Sequence, residues 1–65
     1  MKARYDTKSD TLTLELKNGV VAESDERQPG VILDFDAAGN LLGIEVLDAS
    51  QRVNEARTMQ FQVAE

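Results

Sequence analysis

The chain contains no cysteine and no histidine. Without cysteine there is no disulfide framework and no zinc cluster built on thiolates, a pattern that fits a reducing interior. Without either residue the usual nucleophile–base pairs are missing, and Ser9, Ser24 and Ser50 have no partner with which to form a triad. Nucleophilic catalysis is not expected. No apolar run approaches the roughly 18 residues that read as a membrane span, and no signal-like start precedes the first strand pattern. A cytoplasmic chain that neither spans nor crosses a membrane is the expectation. No glycine-rich phosphate loop is present, because Gly19, Gly30, Gly39 and Gly43 are isolated from one another. No cofactor is expected. Basic residues are few: seven Lys and Arg stand against twelve Asp and Glu, giving a formal charge of −5 with no basic stripe. Nucleic-acid binding, whose affinity rests on Lys and Arg displacing counterions, is therefore not expected. A basic protein is the natural charged partner, although acids of this number also serve simply to keep a small domain soluble.

What is present is a chain of 65 residues, expected to form one domain over 1–65. At that size folding buries only about 60% of the surface exposed by the unfolded chain, and small domains usually draw on disulfides, a metal or a second subunit. With thiols and imidazoles absent, a homodimer is the expected support.

The stretch "MKARYDTKSDTLTLEL" alternates on both sides of a polar turn. Met1, Ala3 and Tyr5 share one strand face, and Leu12, Leu14 and Leu16 share one face of the next. Setting Tyr5 opposite Leu12 places Ala3 against Leu14, and on the outer face Lys2 against Glu15 and Arg4 against Thr13. Asp6 to Thr11 supply turn-forming side chains. Asn18-Gly19 predicts a two-residue hairpin turn leading to a third strand near Val20. That segment soon meets the acids Glu23, Asp25 and Glu26 and then Gln28-Pro29-Gly30, which ends any ladder, so it reads as an edge strand or a charged loop.

"VILDFDAAGNLLGIEVL" poses a choice between a calcium loop and a hairpin. Asp34, Asp36, Gly39 and Glu45 fall at the first, third, sixth and twelfth positions of an EF-hand pattern. Against it, the fifth position is Ala38, which has no side-chain oxygen, and the flanks alternate as strands. A register with Phe35 opposite Asn40 gives a four-residue loop, Asp36 to Gly39, and brings Val31, Leu33 and Phe35 against Leu42, Ile44 and Val46. That register also predicts Glu45 opposite Gly30, roughly 13 Å from Asp34 at ~3.3 Å per residue, too far for one ion. The opposite face carries Ile32, Leu41, Gly43 and Leu47 beside Asp34 and Glu45, so both sides of the sheet ask for cover, from the C-terminal segment or from a symmetry mate. Gly43, inside a strand, predicts a bulge or a close backbone approach.

Asp48 followed by Gln51 resembles a capping box, with Ser50 a second candidate cap, and a short helix is expected near 50–55. "TMQFQVAE" alternates again, with Met59, Phe61 and Val63 on one side, and predicts a C-terminal strand near 58–64. The expected fold class is α+β, mostly β: an antiparallel sheet of four or five strands, with hairpins near 1–16 and 31–48.

Two sets of residues stand out for function. Glu23, Ser24, Asp25 and Glu26 form a candidate docking patch for a basic partner. Asp34, Asp36, Glu45 and Asp48 offer paired carboxylates for a general acid and base or for a divalent metal, although exposed acids on a hairpin are more often solvated surface. The leading expectation is a non-enzymatic protein-interaction module, and the alternative is a small-molecule or metal-dependent activity.

The order Tyr5-Asp6, Asp10 with Leu12 and Leu14, Glu23-Ser24, Leu33-Asp34-Phe35-Asp36, Gly39, Gly43-Ile44-Glu45 and Asp48-Ala49-Ser50 resembles the small prokaryotic YuzE-like family, domain of unknown function 2283, over nearly the whole chain. The resemblance implies a small β-rich or α+β domain, oligomeric, with no established activity. It differs at Thr13, where the family typically has tyrosine. By the genomic setting of such proteins the resemblance also suggests an antitoxin-type role.

Overall fold

The alternating segments pair as one antiparallel sheet in the computed structural model, which describes residues 1–65. The strands are β1 (Lys2–Asp6), β2 (Thr11–Glu15), β3 (Glu23–Gln28), β4 (Val31–Phe35) and β5 (Leu41–Val46), and a single helical turn, α1 (Ala49–Arg52), follows. Their order across the sheet is β1-β2-β5-β4-β3. The first hairpin has the expected register, with Tyr5 opposite Leu12, Ala3 opposite Leu14 and Lys2 opposite Glu15. Lys2 and Glu15 close no ion pair; Arg27 pairs instead with Asp25 at 3.2 Å.

The second hairpin departs from the expected register by two compensating steps. Asp36 donates its amide to the Asn40 carbonyl, so the loop is Ala37 to Gly39, one residue shorter than anticipated. Its left-handed position is Gly39, at φ 87°. A three-residue loop alone would flip which side chains share a face. A bulge at Leu42 flips them back: Phe35 stands opposite Leu41, then Asp34 opposite Gly43, Leu33 opposite Ile44 and Val31 opposite Val46. The parity of the apolar face survives, with the partners of Val31 and Leu33 moved along by two residues and that of Phe35 by one.

Asn18-Gly19 does not form a hairpin. Gly19 is absent from the positive-φ residues, and Val20 is 83% exposed in a connection that carries the chain from β2 to the far edge. Glu23 to Glu26 is a strand and not a loop, paired with β4 through a tight turn at Pro29-Gly30, Gly30 lying at φ 83°. Tolerance of positive φ permits a turn at Asn18-Gly19, but the better hairpin partner for β3 is the apolar β4.

The helix is shorter than expected and is capped from a distance. Asp48, the anticipated cap, sits in the left-handed region at φ 53° and makes no side-chain cap bond. Asp10, from the β1–β2 turn, takes the role: its carboxylate accepts the Ser50 amide at 2.9 Å, the Ser50 hydroxyl at 2.6 Å and the Tyr5 hydroxyl at 2.6 Å. At the other end Arg52 donates to the Pro29 carbonyl at 2.6 Å. The helix therefore straps one end of the sheet, between the β1–β2 and β3–β4 turns.

The strand expected near 58–64 is not formed. A strand needs a neighbour for its backbone groups, and period-two patterning does not supply one. After Val53 this segment makes one backbone bond, Thr58 to Glu55, while Met59, Phe61 and Val63 stay 57%, 72% and 70% exposed. Only Leu42, Gly43 and Ala49 are buried. No helix is long and apolar enough to cross a membrane.

Candidate functional site

Pairing across five strands sorts the side chains into two unlike faces, since directly opposed residues project to the same side. One face carries Tyr5, Leu12, Val46, Val31 and Gln28 in one row and Ala3, Leu14, Ile44, Leu33 and Asp25 in the next. The other has the rows Arg4, Thr13, Glu45, Ile32, Glu26 and Lys2, Glu15, Gly43, Asp34, Ser24. On this polar face the bases lie on β1, and Glu15, Glu26, Asp34 and Glu45 lie on the remaining strands. Gly43 leaves a gap in their midst, an open hollow of about 230 Å³ whose lining includes Thr13, Glu15, Lys17, Asp34 and Glu45.

The docking candidates divide between the faces. Ser24 and Glu26 join the polar face; Glu23 and Asp25 stand opposite Phe35 and Leu33, on the apolar side. Arg27 partly neutralises Asp25. Glu26 accepts the Gly30 amide at 2.9 Å, which holds it near the β3–β4 turn. Ser24 donates its hydroxyl to Asp34 at 2.6 Å and so orders that carboxylate.

Of the four carboxylates considered for a chemical site, only two meet. Glu45 lies opposite Ile32 rather than Gly30, one pair along from Asp34 on the same face, which replaces the expected 13 Å separation with direct contact. The Asp34 carboxyl holding the Glu45 proton, then partial burial, raises Glu45 above its ordinary value. Asp36 is occupied by its own turn, accepting the Ala38 and Asn40 amides at 3.0 and 2.8 Å. The Asn40 side chain and amide hold Asp36 below the ordinary carboxylate range. Asp48 lies beyond the opposite end of β5. No group of three or more carboxylates is arranged to hold a metal ion, and the calcium-loop pattern is the coincidence of a hairpin.

The Asp34–Glu45 contact sets a pH dependence. A raised folded value means that the favourable proton is held below the unfolded value of about 4.3 and is lost as pH rises through the folded one. At neutral pH the two like charges oppose each other across the sheet. Glu45→Gln is expected to raise Tm at pH 7 by about 2 °C, a modest gain because the pair is largely solvated, and to leave Tm unchanged below pH 4. Thermal unfolding at the two pH values measures this; an equal shift at both would mean that the charge contact plays no part.

The site that sequence patterning missed is Asp10 with Tyr5 and Ser50, because its parts are forty residues apart. Ser50 and then Tyr5 hold the Asp10 carboxyl below its ordinary value, and Asp10 in turn raises the Tyr5 phenol. Its geometry is that of a brace, with every Asp10 oxygen engaged by the chain itself.

No curated protein matches the chain, and no solved structure does. The family model described as Protein of unknown function (DUF2283) matches residues 2–50, a span that takes in all five strands, the Asp10 brace and the acidic face. On that match the chain belongs to the DUF2283 family.

Proposed function

We propose that the protein is a non-enzymatic interaction module, working in the cytoplasm, whose acidic sheet face receives a basic segment of another protein. The observation that carries this reading is the placement of Glu15, Glu26, Asp34 and Glu45 on one face around the gap at Gly43. Carboxylates held on a rigid sheet steer and orient a cationic partner, and the gap gives a lysine or arginine stem room to lie between them. An antitoxin-type role is the particular form suggested by the family resemblance.

A labelled lysine-rich peptide titrated into the protein tests the reading. Binding is expected to weaken steeply as salt rises, since the Debye length falls from about 10 Å at 0.1 M to about 3 Å at 1 M. Combining Glu26→Gln, Asp34→Asn and Glu45→Gln is expected to abolish it, whereas Glu23→Gln, on the apolar side, has the smaller effect. Equal binding by the wild type and the triple variant would reject the acidic face as the contact.

The contact between Asp34 and Glu45 favours a second reading, a divalent-metal or small-molecule activity at the same hollow. Mg²⁺ or Ca²⁺ would then raise Tm through linkage, and Asp34→Asn would remove the rise. A Tm indifferent to both ions would dismiss it.

A further inference from the structure

The apolar face lacks a sufficient cover within the chain. Leu12, Leu14, Val31, Leu33, Ile44 and Val46 share it, yet none is buried. Residues 53–59 reach over only its β1–β2 end, where with Ala3, Tyr5 and Leu12 they line an open hollow of about 310 Å³. We infer that a second copy of this chain closes the apolar face, the two sheets packing face to face with Met59, Phe61 and Val63 folded into the seam.

Surface area argues for an occupant of that size. The chain exposes 5250 Å², whereas a compact monomer of 7.2 kDa exposes about 4,100 Å². The excess of about 1,100 Å² exceeds the roughly 800 Å² per partner of a standard interface. The shape agrees: the radius of gyration is 12.6 Å against about 11 Å for a compact chain of this length, and the extents are 35 × 33 × 19 Å. Such a slab is one sheet and part of a cover.

Chemistry argues for a second copy. From β1 to β4 the two rows of the apolar face carry no charge, its acids Glu23 and Asp25 lying on the edge strand β3 with Asp25 paired to Arg27, so a twofold arrangement brings the uncharged centres of two identical faces together and makes the surface complementary to itself. A basic partner is drawn to the other side. Edge-to-edge pairing through β3 is discouraged by its acids and by the irregularity between Glu26 and Gln28. Sheets stacked this way lie about 10 Å apart, which is room for both sets of side chains and for the arms at the rim.

The test measures solution mass together with cross-linking through single cysteines, for which the cysteine-free chain gives no background. Ile44 and Glu45 are neighbours on the central strand and project to opposite faces. The wild type is expected to run at twice the chain mass, and a short bismaleimide is expected to link Ile44→Cys pairs and not Glu45→Cys pairs. Deleting residues 60–65, which make no bond to the sheet, is expected to weaken the dimer ~10-fold or more while the monomer stays folded. A particle of single-chain mass throughout the micromolar range would overturn the inference. So would a dimer linked through Glu45→Cys, or one linked at neither position. These readouts use no peptide, so their failure is separate from failure of the acidic-face reading.

Discussion

Gly43→Ala is expected to destabilise the fold by about 2 kcal/mol, lowering Tm on the order of 10 °C. The added Cβ would stand 2.8 Å from the Leu14 carbonyl oxygen, a distance that real contacts do not tolerate. Unlike the tip of a side chain, that oxygen cannot swing aside, because it belongs to the β2–β5 ladder, where Leu14 faces Ile44 and Glu15 faces Gly43. Relief requires prying apart the one seam that joins the two hairpins. Gly39 provides the comparison: it has φ 87° but nothing within 4 Å of an added Cβ, so Gly39→Ala meets only the left-handed backbone cost of roughly 1 kcal/mol. Denaturant unfolding of both variants measures the difference. Gly43→Ala unfolding at the wild-type midpoint would show that the seam has slack and that the close approach does not fix it.

Asp10→Ala is expected to have the next largest effect, because one carboxylate satisfies donors from two distant parts of the chain. Its loss leaves the Ser50 amide and hydroxyl and the Tyr5 hydroxyl without their partner, and it places alanine at φ 54°. A fall in Tm on the order of 5 °C is expected, as for a lost helix cap. Asp48→Ala has the same backbone cost at φ 53° but loses no cap bond, so the difference between the two variants isolates the brace. The pH profile supplies a second reading. Because the folded value of Asp10 is depressed, its contribution is present above the unfolded value of about 3.9 and is lost as pH falls through the folded one. Tyr5, whose folded value is raised, contributes below about pH 10 and ceases to as pH climbs through its folded value. Asp10→Asn is expected to flatten the acid limb and to shift the alkaline limb together with it. An unchanged acid limb would mean that Asp10 is not the titrating brace.

The first hairpin was legible in detail, since clean alternation on both sides of a polar turn leaves one register that shares an apolar face. The second was legible in its parity but not in its partners, because a shorter loop and a bulge at Leu42 shift the pairing in a way that local pattern does not encode. That shift brings Asp34 and Glu45 together, which the simpler register placed apart. Sequence could not show that β2 would join β5, since any two apolar-faced strands satisfy the same alternation. Nor could it show that the cap of α1 lies in the β1–β2 turn, because capping rules look only to adjacent residues. The acids of β3 were visible as a run, but their division between two faces became clear only once they lay in a strand. Alternation in Met59, Phe61 and Val63 marked an apolar side correctly as composition and misled as structure, for want of a strand to pair with.

The two-faced sheet is tested most directly by nuclear magnetic resonance of the ¹⁵N-labelled protein titrated with a lysine-rich peptide. Amide shifts are expected to concentrate at Glu15, Ser24, Glu26, Asp34, Gly43 and Glu45, to spare Leu12, Val31 and Val46, and to vanish at high salt. Shifts centred on the apolar rows, or persisting undiminished in salt, would contradict the division of the sheet into an acidic contact face and an apolar one.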